Sequence, residues 1–173
     1  SHTHYLNNHT HAFSGTTGAT TISGKIEGIV ARIPVFQERE REEKLLSFYS
    51  DLQLNYNYFW KCCKPDGYMK IRTASEIVYA LYRLVLQENR GLFPSNRRLE
   101  DTVAGVENKP EGLVENCREF CETMDSELLD RIVESYHKWT SYDYPKDNNI
   151  CSSQYGMDFE KWWLYPRPLI GEW

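Results

Sequence analysis

Between Met69 and Glu88 the apolar residues Ile71, Ala74, Val78, Leu81 and Val85 return at intervals of three and four, and Ile77, Ala80 and Leu84 widen the face they make. That period is helical, and so broad a face needs neighbours on most of its circumference, so the segment predicts the most buried helix of a helical fold. The flanking sequence supplies those neighbours. Leu45, Phe48, Tyr49, Leu52, Tyr56, Phe59 and Trp60 form a stripe of about four turns, preceded by the charged, solvated run Gln37–Lys44. Pro65-Asp66-Gly67 is a turn signal between these two helices. Gly91-Leu92-Phe93-Pro94-Ser95 stops the central one, and Ser95 can cap a short helix ending at Gly105. Pro110 suits a helix first turn ahead of the stripe Leu113, Val114, Cys117, Phe120, Cys121 and Met124. Ser126 can cap a last long helix carrying Leu128, Leu129, Ile132, Val133, Tyr136 and Trp139. Short loops favour antiparallel neighbours, so residues 36–173 are expected to form a mainly α domain, an up-and-down bundle of four or five helices.

The two ends read differently. Residues 1–23 are rich in Ser, Thr, Asn, Gly and His without a helical period, and read as loop. Residues 24–34, Gly-Lys-Ile-Glu-Gly-Ile-Val-Ala-Arg-Ile-Pro, are β-branched and partly alternating, which predicts a short N-terminal β segment. A lone strand needs a partner. Either Thr20–Ser23 pairs back locally, or residues 1–35 are the loop and β remnant of an upstream domain, a reading that suits a chain starting at Ser1. From Ser141 onward Pro145, Asn148, Asn149, Gly156, Pro166 and Pro168 lie among Tyr and Trp, and predict an irregular aromatic strap with a short helix near Asp158–Trp163. Tyr155, Phe159, Trp162, Trp163 and Trp173 are then either its anchors into the bundle or an exposed apolar patch.

Charge narrows the function. Lys and Arg number 20 against 25 Asp and Glu, a net charge of -5, which argues against a nucleic-acid surface because phosphate backbones select a basic stripe. No apolar run approaches the ~20 residues that cross a bilayer, and no signal-peptide pattern is present, so a cytoplasmic protein without a membrane partner is expected. The cysteines, Cys62, Cys63, Cys117, Cys121 and Cys151, lack C-x-x-C spacing and read as reduced thiols. His2, His4, His9 and His11 have a spacing that could bind a transition metal, but no carboxylate or Cys stands nearby to complete a site. Cys117 and Cys121, four apart, could be half a zinc site; both also fall on an apolar stripe, where Cys packs as a small hydrophobe. Arg131 and His137 could be the Arg and His of a helical ribonuclease-like domain, although six residues at about 100° each put them on different helix faces.

Two polar features remain. Arg72, Glu76, Tyr79 and Arg83 line up along the central helix, and a carboxylate between two arginines could orient or deprotonate a hydroxyl in a cleft. The alternative is a pair of surface ion pairs. Asn89, Arg90, Phe93, Pro94, Arg97 and Arg98 form the densest basic and aromatic patch, suited to a phosphate or to plugging the bundle end.

Ala74-Ser75-Glu76-Ile77-Val78-Tyr79-Ala80-Leu81-Tyr82-Arg83-Leu84, followed by Glu88-Asn89-Arg90-Gly91-Leu92-Phe93-Pro94, resembles the helical C-terminal region of nucleotidyltransferase-like proteins of the DNA polymerase beta superfamily, a plan shared by antibiotic nucleotidyltransferases. The likeness spans about residues 20 to 105. It implies an acceptor-binding helical domain working with an upstream nucleotidyltransferase domain that binds a nucleoside triphosphate and Mg²⁺, transferring a nucleoside monophosphate to a hydroxyl on a small molecule or macromolecule. The family's Gly-Ser step and Asp-x-Asp pair are absent here, so the chain is not expected to be catalytic alone and needs no cofactor of its own. The resemblance makes Glu76 the candidate base and Arg72, Glu76, Tyr79, Arg83, Asn89 and Arg97 the candidate substrate-binding set. The alternative of another class is a non-enzymatic helical interaction module.

Overall fold

The computed structural model describes residues 19–31 and 35–164, and the chain divides between Val35 and Phe36 into two compact units. In the first, the segment whose pattern predicts a strand is a helix, α1 (Ala19–Val30). The physical reason is that Ile22, Ile26, Ile29 and Val30 also recur at helical spacing, and a helix satisfies its backbone groups locally where a lone strand cannot. Thr20–Ser23 lie within this helix and pair with no strand. The histidines at positions 2, 4, 9 and 11 lie outside the described residues.

The second unit is built around two continuous helical rods. In one, α2 (Arg41–Gln53) passes without a break into a π-helical segment, Leu54–Cys62. There the Cys63 N–H donates five residues back to the Tyr58 carbonyl at 2.9 Å. The wider turn rephases the apolar stripe, so Asn55, Tyr56 and Trp60 are buried while Tyr58 is exposed. The other rod is α3 (Gly67–Glu88), in which every residue from Ala80 to Gln87 is buried. Ile71 departs from the predicted face: it is exposed, because the surrounding helices close round the axis only from Thr73 onward.

The remaining helices cover these rods. Leu99 and Val103 of α4 (Asn96–Ala104) face inward, as do Leu113, Val114, Cys117 and Phe120 of α5 (Leu113–Thr123). Cys121 is exposed, and Met124 adopts a left-handed backbone that ends α5. α6 (Ser126–Trp139) packs on α5, and it is Asp125 rather than Ser126 that caps it, accepting from the Glu127 N–H at 2.9 Å. The Ser126 hydroxyl instead accepts from Trp60 Nε1 at 3.2 Å. Ser95 stands at the start of α4 without a side-chain cap bond.

The tail is more regular than its composition predicts. Residues 140–147 are irregular and are held by Glu88, which accepts from the Thr140 hydroxyl and the Ser141 N–H, and by Tyr144, stacked on Tyr49 at 4.6 Å. A full helix follows, α7 (Asn148–Phe159), capped by Asp147 and packed on α2 through Cys151, Gln154 and Asp158. Tyr155 and Phe159 are half-buried, whereas Trp162 and Trp163, in the 3-10 turn Trp162–Leu164, are 39% and 63% exposed. The aromatic set therefore divides between anchors and surface, and Trp173 lies outside the described residues. Among the described residues no helix is long and apolar enough to cross a membrane, and there is no strand.

Burial sets the expected cost of truncation. Phe120→Ala, at a fully buried ring stacked edge-on against Trp60 at 5.3 Å, is expected to lose about 3–5 kcal/mol in urea denaturation. Trp163→Ala is expected to lose under ~0.5 kcal/mol, and a loss like that of Phe120→Ala would place its ring inside the fold.

Candidate functional site

α3 and α4 diverge around a cleft of about 560 Å³. Ser75, Glu76, Tyr79 and Tyr82 line it from α3, where steps of three and four residues put them on one face, and Asn96 and Glu100 line it from α4. Glu76 also borders a smaller cavity of about 80 Å³, beside Asn55, Arg72, Thr73 and Tyr155. Its carboxyl is half-buried, and the Arg72 guanidinium stands 3.9 Å from it, a loose pair. Burial raises the Glu76 pKa from its ordinary value, and Arg72 opposes the rise.

Asp51 stands near Glu76, and Asp158 stands near Asp51. Asp51 of α2 is buried and accepts from Asn55 Nδ2 at 2.7 Å, and Asp158 of α7 is buried and accepts from Gln154 Nε2 at 3.0 Å. Burial, then the neighbouring Glu76 and Asp158, push the Asp51 carboxyl well above its usual range. A neutral Asp51 places no like charge beside Glu76. Among the described residues no three His, Cys, Asp or Glu side chains gather as metal ligands.

Arg72, Glu76 and Tyr79 are brought together as the polar line predicts. Arg83 stands behind them. Its guanidinium is fully buried, lies 4.0 Å from the Phe93 ring centroid and 4.3 Å from that of Phe48, and donates from Nη1 to the Tyr79 hydroxyl at 2.8 Å. It therefore positions Tyr79 rather than touching a ligand. Burial, more than any neighbour, raises the Tyr79 pKa, while Arg83 opposes it. Asn89 and Arg97 are elsewhere: Asn89 Nδ2 donates to the carbonyls of Val85 and Asn108, and Arg97 is exposed and does not line the cleft. Arg90 forms a two-bond pair with Glu38, both distances 3.0 Å, and Phe93 covers Arg83.

The other candidates are placed as follows. Arg131 is exposed, while His137 is half-buried with Nε2 3.3 Å from the Tyr49 hydroxyl and its ring 5.0 Å from that of Tyr144. Burial and Lys146 lower its pKa, which favours the neutral ring. Burial pushes the Cys117 thiol up to about 12, and Cys121 four residues on is exposed.

Asp51, Asp158, Asn96 and Glu100 are not in the sequence-derived set. The signal for Asp51 was present, since it interrupts the apolar stripe between Phe48 and Leu52. Asp158 had none: it stands at the start of the short helix expected near Asp158–Trp163, with no apolar stripe around it to mark an inward-facing acid.

The Asp51 shift has a sign. The folded chain holds a proton there that the unfolded chain releases at lower pH, so this contribution to stability is full below the ordinary carboxylate range and is lost as pH rises through the raised value. Thermal melts of wild type and Asp51→Asn from about pH 4 to about pH 8 are expected to show the variant gaining on wild type as pH rises. A constant difference would mean that Asp51 is ionised in the fold. Comparison with known proteins gives no match to this chain among family models, curated proteins or solved structures.

Proposed function

We propose that this chain is the acceptor-binding helical domain of a nucleotidyltransferase-like protein, and that the cleft between α3 and α4 takes the hydroxyl-bearing acceptor. The observation that carries this reading is Glu76, a half-buried carboxyl of raised pKa on the cleft wall. In nucleotidyl transfer the acceptor oxygen bonds to the α-phosphorus, the bond to pyrophosphate breaks, and the hydroxyl proton must be taken up. A carboxylate held above its ordinary pKa is a stronger proton acceptor at neutral pH than an exposed one. Ser75 and Asn96 on the cleft wall offer hydrogen bonds to further hydroxyls of the acceptor. The stretch that resembles the family lies on α3 and its exit turn, the elements that form this wall and its support. The upstream domain would bind the triphosphate, and its carboxylates would hold Mg²⁺, since this sequence lacks the Gly-Ser and Asp-x-Asp motif. A cytoplasmic setting fits the free thiols. A second reading, an interaction module, is favoured by the adjacent exposed side chains of Trp162, Trp163 and Leu164.

In the protein encoded by the whole gene, Glu76→Gln is expected to lower kcat about 100-fold, read as pyrophosphate release across a panel of hydroxyl acceptors, with the melting temperature within ~2 °C of wild type. An unchanged kcat would remove Glu76 from the reaction and leave the interaction module as the better reading.

A further inference from the structure

Where the π-helical segment ends and α3 begins, a second cleft of about 460 Å³ opens. Three lysines line it, Lys61, Lys64 and Lys70, against one carboxylate, Asp130. Asp130 is already committed: its Oδ1 accepts from the Tyr56 hydroxyl at 2.6 Å and lies 3.0 Å from Lys61 Nζ. Among the described residues neither Lys64 nor Lys70 is paired with an acid, and Lys70 Nζ lies 5.5 Å from the centroid of the Trp60 ring. Asp66, in the same turn, is not part of the lining. In a chain with 25 acids and a net charge of -5, three ammonium groups facing one space with a single acid is a local reversal of sign. Asp130 offsets Lys61, and an entering anion would offset the charges of Lys64 and Lys70.

We propose that this cleft binds the phosphate chain of a small polyphosphate-bearing molecule. Successive phosphates present several negative charges a few ångströms apart, which several separate ammonium groups answer as point charges, whereas a lone carboxylate or a single phosphate engages only part of the set. The volume is that of a small-molecule site. The Ser126 hydroxyl accepts from Trp60 Nε1 at 3.2 Å, and its own O–H is available to donate to a phosphate oxygen in the cleft. Pro65 fixes its own φ beside Lys64, whose φ of 49° is in the left-handed region. No residue of the cleft around Glu76 takes part, so this site stands apart from the acceptor reading.

The test is isothermal titration of the chain in low-salt buffer with inorganic tripolyphosphate, ATP and AMP. Tripolyphosphate and ATP are expected to bind at least about tenfold more tightly than AMP, with affinity falling as salt is added. Equal affinity for the first two assigns the site to a free phosphate chain, and tighter ATP assigns it to a nucleotide; both support the proposal. Lys64→Glu, at an exposed side chain, is expected to weaken binding about tenfold or more. Lys138→Glu makes the same charge change on the last turn of α6, about 18 Å along the axis from Ser126, and is expected to leave affinity within about twofold. Absence of binding by both polyphosphates, AMP binding as tightly as ATP, or equal losses in the two lysine variants would overturn the proposal.

Discussion

The second unit depends on a cation placed where none is easily kept. Arg83 sits in the fully buried half of α3 with its guanidinium against Phe48 of α2 and Phe93 of the turn after α3. Removing a charge from water is costly, and the flat guanidinium tolerates it better than an ammonium because it is weakly hydrated and stacks on rings. Two ring faces and the Tyr79 hydroxyl replace the lost solvation. One side chain thus ties α2, α3 and the Gly91–Ser95 turn together. Tyr79, edge-on to Phe93 at 6.2 Å, is fixed by the same contacts, so the cleft wall inherits the rigidity of the core behind it.

The carboxyls of Asp51, Glu76 and Asp158 impose the opposite condition. They come from α2, α3 and α7, and burial drives the first of them toward its neutral form. Were all three ionised, α7 would be held against α2 in spite of their repulsion; Asn55 and Gln154 each donate to one of them and offset part of it. The seat of α7 and the proton affinity of Glu76 are therefore one electrostatic problem. A change that ionises Asp51 disfavours both the docking of the tail helix and a charged Glu76.

How much of this can be read from the residues follows from what each helix buries. α3, α5 and α6 bury apolar side chains at steady intervals, and their sequences announce them. α7 buries Cys151 and Asp158 and packs through Gln154, so its inner face is polar and leaves no apolar stripe to recognise. α1 was obscured differently: Gly24, Gly28 and its β-branched residues favour other conformations, and Ile26 and Val30 remain exposed, so no packed face distinguishes helix from strand. At the cleft, Glu76 and Tyr79 were legible because a polar line on a mostly apolar helix stands out. Arg83 belongs to the same line, yet its role as a buried support rests on rings contributed by positions 48 and 93, which no local pattern connects. Asn89 and Arg97 illustrate the reverse, polar residues near the site in sequence that the chain's turn carries away from it.

The central helix divides its work along its length. From Ala80 to Gln87 it is enclosed and anchored, and before that Lys70, Arg72, Ser75, Glu76 and Tyr79 reach the surface while Thr73 stays buried. Lys70 and Glu76 are separated by about 9 Å of helix rise, and they face different clefts. Neither an ammonium lacking an acidic partner nor a half-buried carboxylate with a loose ion pair contributes much to folding; each is tolerated because the other end of the same helix is secured by packing. An enclosed C-terminal half is what permits the N-terminal half to carry polar groups that add little to stability.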